Sequence, residues 1–212
     1  MDFFSLMAGK SMASGSGHSE AFWDTYQDYG NRRNYDDAFA GDGWTAELFN
    51  PKYPIIAESY IRTFTNNKQI TEIKVPLDFT GYVESEESDM CFLGCSALKT
   101  IQSLKVGRNT AFFGSFDHCY SLEHIGFEGE LWYDLWLNES ENLNDETLMQ
   151  LTHIAKDFIH DEDEEVQSMC CLIYFSPELS DKVWELEADE RFPEEYQGMI
   201  LGEVLLEKGW GC

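Results

Sequence analysis

Positive charge is scarce in this chain: 14 Lys and Arg stand against 40 Asp and Glu in 212 residues, a formal net charge of −26. A field of that sign repels phosphate and excludes phosphate-driven binding of DNA or RNA. Long apolar runs are missing as well. No stretch approaches the roughly 18 residues that cross a bilayer, and an acidic surface is pushed away from anionic headgroups, so no membrane partner is expected. The start, Met1 to Ala8, has neither the basic segment nor the apolar length of a secretory signal. Without export, the six cysteines are expected as reduced thiols and not as a disulfide frame. No P-loop, dinucleotide fingerprint or HExxH occurs, and Asp161 to Glu165 lacks the glycine of an EF-hand turn. No cofactor and no enzyme are expected.

What the chain has in quantity is apolar and aromatic residues, 43% and 15%, enough for a sizeable core. Its charge is uneven. Residues 123–212 carry 24 acidic and 4 basic side chains, whereas residues 1–122 carry 16 and 10. The small residues Ala13 to Gly17 have linker composition, so 1–18 read as a flexible tail. Ser19 sits at an N-cap position, and Phe22, Trp23, Tyr26 and Tyr29 share one helical face. With the Gly- and Pro-punctuated stretch behind it, this predicts an aromatic N-terminal cap over 19–60.

Self-similarity is the strongest signal. Three segments align: Phe64-x-x-Asn67-x-x-Ile70-x-x-Ile73, Phe92-x-x-Cys95-x-x-Leu98-x-x-Ile101 and Phe116-x-x-Cys119-x-x-Leu122-x-x-Ile125, with the phenylalanines 28 and 24 residues apart. An inward residue at every third position, followed by a short β-type stretch, suits coils that stack because none can bury its own apolar edge. At a tight inward corner an amide or thiol can satisfy turn backbone groups. This assigns Cys95 and Cys119 to the repeat, although Cys91, Cys95, His118, Cys119 and His124 have loosely zinc-like spacing; no metal is expected.

The Phe-x-x-Cys-x-x-Leu-x-x-Ile run resembles the BspA-like leucine-rich repeat proteins. Residues 22–56, from FWDTYQDYG to NPKYPI, and the closing Glu207 to Trp210 look like the ends of leucine-rich repeat proteins encoded in phages and prophages of low-GC Gram-positive bacteria. The resemblance implies a host bacterial cytoplasm or a virion as the setting, with recognition by the repeat surface. Between Asp161 and Gly198 the chain is longer and more acidic than that pattern.

The fold expected is α+β: a short, right-handed leucine-rich-repeat-type β solenoid of three to four coils over 61–138, capped by 19–60 and by an acidic α/β unit over 139–212. Residues 131–138 alternate Leu131, Tyr133, Leu135 and Leu137 with Trp132, Asp134, Trp136 and Asn138, which predicts the last strand of the repeat sheet. Asn144 caps an expected helix with Leu148, Leu151 and Ile154 in its apolar stripe, and Met169 to Phe175 reads as a buried strand. On the exposed sheet face, Glu72, Lys74, Thr100, Gln102 and His124 are candidate contacts for a protein or glycan; Trp132 and Trp136 could add an aromatic platform unless a helix covers them. From a different class, Asp161, Glu162, Asp163, Glu164, Glu165, Asp189, Glu190, Glu194 and Glu195 could mimic nucleic acid and block a basic host defence protein.

Overall fold

The computed structural model describes residues 34–81, 90–154, 173–176, 178, 179 and 182. The N-terminal helix expected after Ser19 and every residue of the acidic candidate surface lie outside them.

Phenylalanine spacing translates into a column of rings. Phe64 stacks on Phe92 with centroids 5.4 Å apart and planes 9° from parallel, and Phe92 stacks on Phe116 at 5.2 Å and 16°. All three are buried. The column also begins earlier than the repeat pattern, because Phe39 stacks on Phe64 at 5.2 Å. Four chain segments therefore lie one above another, the first inside the stretch expected to be only a cap.

Their turns are copies of one another. Two residues before each Phe, the backbone of Asp37, Arg62, Met90 and Gly114 is left-handed, and two residues after it so is that of Gly41, Asn66, Gly94 and His118. Backbone bonds then run from layer to layer. Phe39, Phe64 and Phe92 donate their N–H groups to the carbonyls of Thr63, Cys91 and Ser115 at 2.7 to 3.0 Å. Gly41, Asn66 and Gly94 donate to Thr65, Leu93 and Asp117 at 2.7 to 2.8 Å. This satisfies the polar groups of tight turns without a helix or a long strand.

Past the turns, each layer contributes short parallel strands. The strands are β1 (Ile55–Ile56), β2 (Glu72–Ile73), β3 (Leu77–Asp78), β4 (Thr100–Val106) and β5 (His124–Gly129). The pairing path is β1-β3-β4-β2, in which β2 and β3 meet different halves of β4, and β5 pairs with β4 along both halves. Ile73, Ile101 and Ile125 are in register, as are Leu77, Leu104 and Phe127. From the first of these rows to the second the chain advances four residues, then three, then two. Each layer thus spends one residue fewer at the bend, producing the shift in β4 between Ile101 and Leu104. At the tightest bend Gly126 lies under the Gln102 carbonyl, where a Cβ would come within 2.3 Å of the oxygen.

Helix α1 (Asp145–Ile154) closes the free side of β5. Asn144 caps it, its Oδ1 accepting from Thr147 N–H at 2.9 Å, and Asp145 and Glu146 place negative charge in the first turn. Leu148, Leu151 and Ile154 are buried. Thr147 Oγ1 and Gln150 Oε1, three residues apart on one face, accept the outward N–H groups of Ile125 and Phe127, both at 3.0 Å. An open edge that could pair with another chain is thereby covered.

Two expectations fail here. Residues 131–138 do not add a strand to the five-stranded sheet: only β6 (Leu135–Leu137) is a strand, joined to the layer above by the single parallel bridge of Leu135 with Phe112 and paired in parallel with β7 (Ile173–Phe175) in a two-stranded sheet. The alternation at Leu131 was misleading because its N–H is taken by the last carbonyl of α1, that of Ile154, at 2.8 Å. Nor is the expected buried strand over Met169 to Phe175 buried where it can be followed: residues 169–172 lie outside the described residues, Ile173 and Phe175 are half-buried and Tyr174 faces solvent.

Candidate recognition surface

The register sets Glu72, Thr100 and His124 in one row across β2, β4 and β5. Glu72, Lys74 and Gln102 are exposed; Thr100 and His124 are half-buried. His124 departs from the expected role of a free contact, because its Nδ1 lies 3.2 Å from Thr147 Oγ1 and 3.5 Å from Asn144 Nδ2, which ties it to the start of α1. Charges on this face balance locally. Lys74 pairs with Glu72 at 3.4 Å, Lys99 with Glu123 at 2.9 Å and Lys105 with Glu128 at 4.0 Å. Exposed pairs of this kind contribute about 0 to 1 kcal/mol each, so they set surface character more than stability.

The two tryptophans divide. Trp132 is half-buried against the core, donates to Glu130 Oε2 at 2.8 Å and lies under the Arg108 guanidinium, 4.7 Å from the ring centre. Trp136 remains 36% exposed. Its neighbour across the β6–β7 pair is Tyr174, 39% exposed, the rings meeting edge to face at 5.5 Å and 73°. Leu135 and Leu137 are buried on the other side of β6, which fixes the aromatic pair outward. Tyr174 was not singled out from the sequence, although Ile173, Tyr174 and Phe175 repeat the pattern of Leu135, Trp136 and Leu137.

The inward corner residues make a ladder of donors. Asn67 Nδ2 donates to the carbonyls of Phe39 and Trp44 at 3.2 and 3.0 Å, and its Oδ1 accepts from Gln69 and Ile70 N–H at 2.9 and 2.8 Å. Cys95 Sγ donates to Phe64 O at 2.9 Å, and Cys119 Sγ to Phe92 O at 3.1 Å. Each thus reaches the Phe carbonyl one layer above. Burial pushes the Cys95 thiol up to about 12 and the Cys119 thiol higher still, so neither is a nucleophile at neutral pH. Ile70, Leu98 and Leu122 are buried beside them.

Near the last turn, His118 Nδ1 lies 2.7 Å from Glu139 Oε2 and 2.6 Å from the Tyr120 hydroxyl, and its backbone N–H also donates to Glu139. Burial, and next the Glu139 charge, raise the Asp117 carboxyl above its ordinary value, with His118 opposing. Among the described residues no group of three or more His, Cys, Asp or Glu side chains could hold a metal ion, and no helix is long and apolar enough to cross a membrane. No family model, no curated protein and no solved structure matches the chain.

Proposed function

We propose that the chain is a non-enzymatic recognition module of a phage or prophage, built on a short leucine-rich-repeat-type solenoid and binding a protein or a glycan. The observation that carries this reading is the outward Trp136 and Tyr174 pair, held on a two-stranded sheet whose opposite side packs into the core. An edge-to-face pair keeps an aromatic face available, and large aromatics on a rigid base are the residues that dominate binding at interfaces and sugar sites. The BspA-like repeat pattern supplies the setting. The buried, raised thiols and the paired surface charges supply no catalytic group.

The test is binding of the purified chain to host cell-wall polysaccharide and to host lysate proteins, with the Trp136→Ala, Tyr174→Ala double variant beside it. Loss of an aromatic hot spot costs about 2 kcal/mol or more, a thirtyfold loss of affinity. Affinity that survives the double variant but collapses as salt rises would instead point to the acidic inhibitor.

A further inference from the structure

The layers share a donor arrangement that the first of them leaves incomplete. In the third layer Lys99 and Thr100 both direct their N–H groups at one carbonyl above, that of Thr71, at 2.9 and 3.4 Å. In the fourth, Glu123 and His124 both donate to Lys99 O, at 2.9 and 3.0 Å. The same positions one layer up are Thr71 and Glu72, seven and eight residues after Phe64. Among the described residues no carbonyl above receives their N–H groups. The segment that would provide it turns back on itself instead: Leu48 and Phe49 both donate to Thr45 O, at 3.0 and 2.9 Å, and Pro51 follows. The gap so left is a cavity of about 260 Å³ between residues 46–51 and 71–75, walled by Ala46, Phe49, Pro51 and Val75, with Glu72 and Lys74 at its side.

We infer that this cavity is a binding site for an extended basic peptide, which adds beside β2 and offers one main-chain carbonyl to the N–H groups of Thr71 and Glu72. Size favours such a ligand. The volume lies below the roughly 300 to 1,000 Å³ of pockets that enclose whole small molecules, but it accommodates one apolar side chain and its backbone. Charge selects a neutral carbonyl over a carboxylate, because Glu72 sits 3.4 Å from Lys74 and offsets it. Residues 1–122, within which this face lies, carry 16 acidic against 10 basic side chains, and that excess favours lysine or arginine in the flanking positions of the peptide. Main-chain bonds to a short sheet edge give affinity, and the apolar wall selects the side chain between them.

The experiment is an amide NMR titration of the full chain with a capped octapeptide of alternating lysine and valine. The largest amide-proton shifts should fall on Thr71 and Glu72, and their hydrogen exchange, fast in the free protein, should slow at least tenfold at saturation. A glutamate–valine peptide should bind at least tenfold more weakly, and sodium acetate should leave both amides unmoved. Ala46 is exposed, so Ala46→Phe should fill the gap and abolish binding without altering the rest of the spectrum. Three results overturn the inference: Thr71 and Glu72 already as protected as Lys99 and Glu123 in the free chain, acetate reproducing the peptide's shifts, or shifts confined to Trp136 and Tyr174. The last would leave the recognition reading of the aromatic pair standing.

Discussion

Removing the two corner thiols should flatten the alkaline fall in stability. Unfolded, a cysteine of this chain ionises near 9.0; folded, Cys95 keeps its proton to about 12 and Cys119 beyond that, because burial opposes the thiolate. Both shifts are upward, so the stability they contribute is complete below pH 9 and drains away as pH climbs toward the folded values. Over that window the unfolded chain binds fewer protons, and each thiol costs up to about 1.4 kcal/mol per pH unit. Two such groups give a slope on the order of 1 to 3 kcal/mol per unit against a total stability of about 5 to 15 kcal/mol. Urea midpoints at pH 8, 9 and 10 measure it, for the native chain and for the Cys95→Ala, Cys119→Ala variant. The variant starts lower, since the carbonyls of Phe64 and Phe92 each lose one of two donors and keep only a backbone N–H, but its curve should be distinctly flatter. Equal slopes in the two proteins would refute buried, proton-retaining thiols.

Gly126→Ala forces a Cβ to 2.3 Å from the Gln102 carbonyl, and backbone must move to relieve it; a loss of about 1 to 3 kcal/mol in thermal or chemical denaturation is expected. Asn67→Ala strips two buried carbonyls and two N–H groups of a partner and should cost about 3 kcal/mol, whereas Asn67→Cys, imitating the layers below, should recover part of it in the same denaturation assay.

The ring contacts among Phe64, Phe92 and Phe116 follow directly from their spacing, because a period of similar length returns each chemically equivalent residue to the same place in its layer. Phe39 escaped that reasoning. Its segment keeps the two left-handed turn positions at Asp37 and Gly41 but has no Asn or Cys corner and makes the Thr45 turn where the layers below run their first strand row, rejoining the sheet only at β1, so little of the pattern remains to align. The partner of β6 was equally hidden, since pairing with residues near position 174 depends on how the chain returns after α1 and not on any local period. At the surface, Glu72, Lys74 and Gln102 were found by simple alternation. The same rule misjudged His124, because the helix that caps the sheet edge reaches across and engages its ring. The donors at Thr71 and Glu72, which no carbonyl among the described residues receives, leave no trace in the repeat pattern, because they depend on where the chain turns one layer above.

The layered fold depends on the phenylalanine rings packing on one another through successive layers, and a double-mutant cycle measures that contact directly. Phe64→Leu, Phe92→Leu and the pair together, unfolded in urea, should show a coupling of about 0.5 to 1.5 kcal/mol for rings stacked at 5.4 Å. Strictly additive losses would contradict the stacked arrangement.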